Sequence, residues 1–474
     1  MTGSQQMPRI GSIHLAMMII MLLSTACADE PEQQMPGELE DMSMDADDSR
    51  ADSSEDQDHS MPDAGMADLD AGVEGRAPLI QDANLCEEPT PNLAVSPGTD
   101  LLKVTLDDPD AVCNDGSPAV IYIRPAPAGS ADADRWVAWL EPGGGCNSAT
   151  ACRQRWCGSN IGKMTSRFAP DGIRATGMFV DRPDNDFAGW NHVVAYYCSS
   201  DSWSGRKRTL AIDDEGLTPS YEIYVHGAYI VDAIFDALED GATSDDGTMT
   251  MPTIDGAAMV LLAGTSAGAG GVRSNADRIG ERLRGGNPSV DYRIIVDAGF
   301  YPVDPHPPEL AEADALEALD FKHEIIVSWR DGATDASCLA YHAGDERWCS
   351  DNSHLMAHHI TTPAFVKQDL RDGAPGLYAN ARTYSNILLE WFLQVEEGTF
   401  VPEEPDVPLA RTGLFAPNCD HHLNLNVSSF YDISLTNGVD ELSMHDLTSN
   451  WIQGVQPYRA IHAPEGELRS VCPE

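Results

Sequence analysis

The chain has 474 residues, with 76 Asp and Glu against 29 Lys and Arg, and a formal net charge of −47. This excess of negative charge excludes broad electrostatic attraction to nucleic acid or to an anionic membrane surface. We therefore expect neither as a partner.

The first 27 residues have the pattern of a signal peptide. Arg9 precedes an apolar stretch at residues 13–23, which is too short to span a bilayer permanently, and small residues then lead to Cys27. This ending resembles a bacterial lipobox and predicts a lipid on Cys27 as the contact with a membrane. Ala26-Cys27-Ala28 also fits the Ala-x-Ala site of ordinary signal peptidase. We expect export to the bacterial cell surface or outer membrane as a lipoprotein, or otherwise to the periplasm or the medium.

An acidic segment follows. Asp and Glu dominate residues 29–75, which contain one Lys or Arg, Arg50, and no Phe, Trp or Tyr. Such a composition cannot supply a hydrophobic core and repels itself. We predict a signal peptide over residues 1–27, a disordered linker over 28–85 and one enzyme domain over 86–474.

The cysteines of the predicted domain are Cys86, Cys113, Cys146, Cys152, Cys157, Cys198, Cys338, Cys349, Cys419 and Cys472. An even number in an exported chain predicts up to five disulfides, whose pairing the sequence leaves open. The close trio of Cys146, Cys152 and Cys157 lacks a paired Cys-x-x-Cys, so we predict no zinc site there.

Residues 135–141 form a predicted strand that leads into Pro142-Gly143-Gly144-Gly145-Cys146. Consecutive glycines after an early strand are typical of the oxyanion loop of α/β-hydrolases, where backbone N–H groups approach the substrate without side chains in the way. The alternative is an ordinary flexible loop.

A nucleophile motif lies near the middle of the chain. The apolar run at residues 257–262 predicts a strand, Gly264-Thr265-Ser266-Ala267-Gly268 follows it, and residues 274–283 predict a partly exposed helix. In a Gly-x-Ser-x-Gly elbow the serine occupies a sharp strand-to-helix turn. We predict that Ser266 is a nucleophile and that Ala267 supplies the adjacent N–H group. The alternative is an ordinary glycine-rich turn.

Three histidines later in the chain, His354, His358 and His359, include a helical i, i+4 pair of the kind that can bind a metal. No Cys or carboxylate partner stands beside them, so we expect surface residues. We predict no metal site and no cofactor.

Several motifs together resemble one family. They are Val112-Cys113-Asn114-Asp115-Gly116-Ser117-Pro118-Ala119, Tyr197-Cys198-Ser199-Ser200-Asp201-Ser202-Trp203-Ser204-Gly205, the Ser266 motif and Asp297-Ala298-Gly299-Phe300. This order resembles the pectin acetylesterase and Notum family of serine carboxylester hydrolases, over most of the chain from about Cys86 to Trp451. The resemblance implies an α/β-hydrolase fold with a mainly parallel central sheet, helices on both faces and disulfide stabilisation.

The resemblance also implies the partners of the nucleophile. Residues 363–372 resemble the family's late strand, whose terminal Asp is the catalytic acid; this selects Asp372 over Asp369, which would fall within the strand. Phe415-Ala416-Pro417-Asn418-Cys419-Asp420-His421-His422 resembles the family's Phe-Ala-Pro-x-Cys-x-x-His and makes His422 the base, with His421 as the alternative. The order serine, acid, histidine is that of an α/β-hydrolase.

By resemblance, the oxyanion donors are the backbone amides of Gly143, Gly144 and Ala267. Asp201 and Trp203 are expected in the pocket wall, although Trp203 could equally pack beneath the site. The chain departs from the family at Pro142, which replaces a glycine, and in lacking the tryptophan usual beside the loop. This departure affects the acyl pocket and leaves the chemistry intact.

We therefore predict an exported serine carboxylesterase that deacetylates a polysaccharide such as pectin through an acyl-enzyme on Ser266. The expected partner is an acylated glycan or another ester. One alternative is a Notum-like or lipase-like esterase of longer acyl chains, and another is a non-catalytic binding protein on a hydrolase fold. The sequence fixes neither acyl length nor oligomeric state.

Overall fold

The computed structural model describes residues 77–473, apart from residues 88, 94, 214–218, 301–311, 333, 373–380 and 463–467. The predicted signal peptide, Cys27 and most of the predicted linker lie outside the described residues. Within them, no helix combines the length and the apolar character needed to cross a membrane.

The strands of the described residues are β1 (Pro97–Thr105), β2 (Val120–Arg124), β3 (Arg135–Leu140), β4 (Gly172–Ile173), β5 (Asn191–Ala195), β6 (Lys207–Ile212), β7 (Tyr221–Val225), β8 (Met259–Thr265), β9 (Asp291–Asp297), β10 (Ala364–Lys367), β11 (Gly413–Ala416), β12 (Ser434–Thr436), β13 (Glu441–Ser443), β14 (Arg459–Ile461) and β15 (Arg469–Val471).

The α-helices are α1 (Ala149–Trp156), α2 (Gly227–Asp240), α3 (Ala267–Gly286), α4 (Glu312–Glu324), α5 (Ala336–Tyr341), α6 (Asn352–His358), α7 (Ala381–Glu397), α8 (Ser429–Asp432) and α9 (Met444–Gln453). A π-helical stretch at Ile325–Arg330 directly follows α4.

The central sheet has ten strands in the order β14-β11-β10-β9-β8-β3-β5-β2-β1-β4. Strands from β14 to β5 pair in parallel, whereas β2, β1 and β4 continue the sheet in antiparallel pairs. Every residue of β8 is buried, as expected for a strand covered on both faces of a parallel sheet. The predicted mainly parallel sheet is confirmed.

The predicted elements around Ser266 differ from the observed ones mainly in length. The strand before it is longer than predicted, and α3 begins at Ala267 directly after the serine instead of at residue 274. Small residues at 267–271 let the first turn of α3 lie close to the sheet, so no loop is needed.

All ten cysteines of the predicted domain form disulfides, which confirms the expected five. The pairs are Cys86–Cys157, Cys113–Cys198, Cys146–Cys152, Cys338–Cys349 and Cys419–Cys472.

Candidate active site

Ser266 occupies a tight turn between β8 and α3. Its backbone angles are φ 54° and ψ −113°, a conformation that non-glycine residues rarely adopt. A Cβ atom at Gly268 would lie 1.9 Å from the carbonyl oxygen of Leu140, and one at Gly264 would lie 2.3 Å from the carbonyl oxygen of Gly268. Both glycines are therefore required by close backbone contacts, and the turn is held against β3.

The structure brings Ser266, His422 and Asp372 together in a line. His422 Nε2 lies 2.8 Å from Ser266 Oγ, and His422 Nδ1 lies 2.8 Å from Asp372 Oδ2. The side chain of Asp372 is almost fully buried, whereas that of His422 is partly accessible. His421, the alternative base, instead lies 3.7 Å from Asp420 and does not take part in this line.

The neighbouring Asp369 has a different partner. Strand β10 ends at Lys367, so the expectation that Asp369 lies within the strand is wrong. The chain turns after β10, with the Asp372 N–H donating to the Asp369 carbonyl at 3.2 Å. The Asp369 carboxylate pairs with Lys367 Nζ at 2.5 Å, and the turn leaves Asp372 to face His422.

Gln368 positions Asp372 and was missed by sequence reasoning. Its Nε2 donates to Asp372 Oδ2 at 2.8 Å, while its Oε1 accepts from the Phe300 N–H at 3.1 Å. Gln368 is fully buried. The available signal was a run of three polar residues, 367–369, at the end of an apolar strand.

A buried charge cluster, formed by Lys367, Asp297 and Asp369, supports the same region. Lys367 Nζ lies 3.2 Å from Asp297 Oδ1. Asp297 Oδ2 accepts from Thr265 Oγ1 at 3.0 Å and from the N–H groups of residues 424 and 425 at 3.1 and 2.9 Å. One carboxylate therefore joins the residue before Ser266 to the chain after His422. Burial raises the pKa of Asp369 to about 6, although Lys367 opposes the shift.

The predicted oxyanion loop is fixed through its carbonyl groups. The Gly143 carbonyl accepts from Arg155 of α1, and the Gly144 carbonyl accepts from the Tyr197 hydroxyl at 2.8 Å. Gly144 has φ 61°, and a Cβ atom at Gly143 would lie 2.8 Å from the Tyr197 ring. Because a trans peptide is planar, holding the Gly143 carbonyl fixes the direction of the Gly144 N–H on its opposite side.

Asp201 and Trp203 do not lie in an exposed pocket wall, so that expectation is wrong. Trp203 is fully buried, donates to the Glu141 carbonyl at 3.1 Å and packs against Gly271 of α3. Asp201 is also buried and accepts from the N–H groups of residues 203, 205 and 227 at 2.9, 3.0 and 2.7 Å. A carboxylate bound by three backbone donors is held inside the fold, and Trp203 packs beneath the elbow.

The expectation of surface histidines is also wrong for His354 and His359, which are 4% and 1% exposed. Burial, followed by the charges of neighbouring histidines, lowers the pKa of His354 to about 2. Both rings lie with His342 around Glu403. Sequence reasoning missed this cluster because Glu403, the residue around which the histidines gather, is far from them in sequence.

Comparison with known proteins agrees with this architecture. A family model described as Pectinacetylesterase matches residues 98–396. The palmitoleoyl-protein carboxylesterase NOTUM of Homo sapiens is 30% identical over 303 residues, covering 62% of this chain and 56% of the relative. The notum1a enzyme of Danio rerio is 26% identical, covering 75% and 67%. The chain thus spans little more than half the length of the human relative.

The solved structure of the Wnt deacylase Notum from Drosophila has a similar fold. It superposes with a TM-score of 0.57 at 23% sequence identity, covering 75% of this chain and 93% of that one. At this identity the likeness concerns the fold, and it confirms the predicted α/β-hydrolase architecture.

Proposed function

The chain belongs to the pectinacetylesterase family, and on that premise we propose that it hydrolyses carboxylic esters through Ser266. The observation that carries the proposal is the line from Ser266 Oγ through the His422 ring to Asp372, with two distances of 2.8 Å. Nucleophile, base and orienting carboxylate must have this relation in a serine hydrolase.

In the proposed reaction, Ser266 Oγ attacks the ester carbonyl while His422 Nε2 takes its proton. Asp372 accepts a hydrogen bond from His422 Nδ1–H and stabilises the imidazolium that forms. The backbone N–H groups of residues 143–144 and Ala267 stabilise the negative oxygen of the tetrahedral intermediate. His422 then protonates the leaving alkoxide, and an acyl-enzyme remains on Ser266.

The second half of the reaction restores the enzyme. His422 removes a proton from water, and the resulting hydroxide attacks the acyl carbonyl. A second tetrahedral intermediate collapses, Ser266 recovers its proton from His422, and the carboxylic acid leaves.

We propose an acetylated polysaccharide such as pectin as the substrate. The support is local: Pro142 and the glycines after it add no aromatic side chain to an acyl pocket, and each buried CH₂ of a longer chain needs apolar surface to gain its ~0.8 kcal/mol. The relatives named palmitoleoyl-protein carboxylesterases favour the second candidate, an esterase of longer acyl chains.

Two experiments decide between these functions. The ratio of kcat/KM for nitrophenyl esters from acetate to palmitate tests acyl length, and a maximum at octanoate or beyond would reject the short-acyl substrate. Titration with an organophosphonate tests catalysis itself. Stoichiometric labelling of Ser266 supports the esterase, whereas an unlabelled protein would support a non-catalytic binding protein.

We further propose that the protein is exported and anchored by a lipid on Cys27. The five disulfides support an oxidising compartment. Mass analysis of the mature N-terminus tests the anchor: a diacylated Cys27 is expected, and a chain that starts at Asp29, directly after the Ala-x-Ala site, would show ordinary cleavage instead.

A further inference from the structure

The proposed ester hydrolysis leaves one group of histidines without a role. His342 directly follows α5, His354 lies in α6, and His359 comes just after it, all between β9 and β10. Glu403 comes from a different part of the chain, between α7 and β11. We refer to these four residues as the His3Glu cluster.

The polar atoms of the His3Glu cluster converge on one point. His342 Nε2 and His359 Nε2 lie 2.9 and 3.0 Å from Glu403 Oε2, and His354 Nε2 lies 3.4 Å from it. His342 Nε2 and His354 Nε2 are 3.1 Å apart. Ligand atoms around tetrahedral Zn²⁺, with bonds of about 2.0–2.1 Å, are separated by about 3.3 Å. The spacing therefore fits one ion at the centre.

Hydrogen-bond partners behind the ring assign the tautomer of His359. Ser337 Oγ donates its hydrogen to Asp335 Oδ1 at 2.6 Å, so it accepts from His359 Nδ1–H at 3.2 Å. The other ring nitrogen, Nε2, faces Glu403 Oε2, which is an acceptor. Either a proton or a metal ion must therefore lie between these two atoms, which are 3.0 Å apart. Metal-bound histidines commonly donate their second N–H in this way.

We propose that the His3Glu cluster binds one divalent transition-metal ion, for which Zn²⁺ is the best match. Three imidazole nitrogens and one carboxylate oxygen suit Zn²⁺ better than Ca²⁺ or Mg²⁺, which prefer six or more oxygen ligands. The histidine rings are buried or nearly so, and the side chain of Glu403 is 23% exposed, which leaves a path for the ion.

Cys338 belongs to the same neighbourhood but is not a ligand. Its sulfur lies near the three histidines, yet it is bonded to Cys349. The thiolate is the form of cysteine that binds metals, and a disulfide removes it. Glu403 is therefore the fourth ligand of the oxidised, exported protein.

The ion has a structural role in this proposal. Four protein ligands close the coordination shell and leave no position for a substrate. The ion joins the segment between β9 and β10 to the chain before β11, whereas the Cys338–Cys349 disulfide lies within the former segment. The former segment also carries Arg330, which donates to Ser204 and Asn147 at 3.2 Å each and so contacts the region of the oxyanion loop. The inference does not depend on the proposed function.

The test measures metal content and melting temperature of the full-length, disulfide-bonded protein. After chelation and dialysis, Zn²⁺ alone is added, and bound zinc is counted by elemental analysis. We expect one ion per chain and a melting temperature raised by several degrees, because the ion binds the native state only. Co²⁺ in place of Zn²⁺ should give the visible absorption of a four-coordinate site.

Variants identify the ligands. Glu403→Gln and His354→Ala should each retain at most a small fraction of the zinc and lose the zinc-dependent rise in melting temperature. The matched control is His323→Ala, a histidine of the same segment that contacts Ser350 and lies outside the cluster; it should bind zinc as the wild type does. If His354→Ala does not fold, His354→Gln replaces it.

Two results would overturn the proposal. One is wild-type protein that binds no stoichiometric zinc or cobalt, which would mean that a proton stands between His359 and Glu403. The other is equal zinc binding by wild type, Glu403→Gln and His354→Ala, which would locate the ion elsewhere. Neither result bears on ester hydrolysis, which the organophosphonate titration tests separately.

Discussion

Two sites in this molecule combine histidine with a carboxylate, and they differ in geometry. At the elbow, one ring faces two partners: His422 turns Nδ1 to Asp372 and Nε2 to Ser266. In the His3Glu cluster, three rings turn the same atom, Nε2, toward one oxygen of Glu403. The linear arrangement can move a proton, whereas the convergent arrangement can hold a cation. The direction of the ring nitrogens, more than residue type, separates the two chemistries.

The largest expected effect comes from substitution of Ser266, the proposed nucleophile of the linear site. Ser266→Ala should lower kcat on a short-chain ester by at least about three orders of magnitude, because it removes the hydroxyl that lies 2.8 Å from His422 Nε2. Steady-state assays with nitrophenyl acetate measure kcat, and circular dichroism checks that the variant is folded. Ser274→Ala on the same helix should keep its activity; unchanged turnover in Ser266→Ala would reject the assignment.

The next effect separates two neighbouring carboxylates. Asp372→Asn should lower kcat by about two orders of magnitude or more, because an amide cannot hold His422 in the required tautomer. Asp369→Asn, whose partner is Lys367, should lower it far less. Equal losses in the two variants would mean that the linear site is not organised as the structure indicates.

A smaller effect is expected from the residue that positions the acid. Gln368→Leu removes the donor to Asp372 Oδ2 and should lower kcat by about tenfold, the equivalent of one hydrogen bond to a charged group, with little change in KM. Gln368→Glu keeps the shape but adds charge and should shift the pH profile of kcat. A change confined to KM would assign Gln368 to substrate binding.

The buried Asp369 predicts a pH dependence of stability. Its pKa is about 6 in the folded protein and close to 3.8 in the unfolded chain. The folded state thus binds more protons between these values, so this group's contribution to the free energy of unfolding falls as pH rises from about 4 to 6. The free energy of unfolding of Asp369→Asn and of wild type can be measured with denaturant over this pH range. As the pH rises, that of the variant should increase relative to wild type by on the order of 1–3 kcal/mol.

The smallest expected effect is that of metal removal on catalysis, which tests whether the two sites are independent. Removing the proposed ion with a chelator should change kcat at 25 °C by less than about twofold, while lowering the melting temperature, because the ion touches no reacting atom. A parallel loss of kcat and stability at 25 °C would show that the His3Glu cluster shapes the esterase site directly.

The sequence pattern predicted those elements whose geometry depends on residues close to one another in sequence. The elbow at Ser266 and the loop at Gly143 depend on glycines within a few residues, so the sequence displays them. Asp372 and His422 were assigned through family resemblance, and the one local argument against Asp369, that it would fall within the strand, is wrong because β10 ends at Lys367. In the structure, a turn after Lys367 leaves Asp372 to face His422, and the sequence pattern did not reveal this turn.

The missed features depend on distant partners. Asp297 meets residues 424 and 425 only when β9 and the chain after β11 come together. The histidines looked exposed because the helical spacing of His354 and His358 suggested a pair, whereas the cluster uses His354 and His359, with Glu403 44 residues beyond the latter. Motif membership of Trp203 likewise left open whether it lines the pocket or packs beneath the site, and the structure shows the latter.

The Cys146–Cys152 disulfide has a consequence for where this protein matures. It spans six residues and links the end of the glycine loop to α1, the helix whose Arg155 fixes the Gly143 carbonyl. A chain synthesised in a reducing cytosol lacks this covalent link, so its glycine loop is tied to α1 only by the hydrogen bond from Arg155. If the protein is exported as proposed, the loop gains this covalent link only after translocation, and recombinant preparations should be made in an oxidising host compartment.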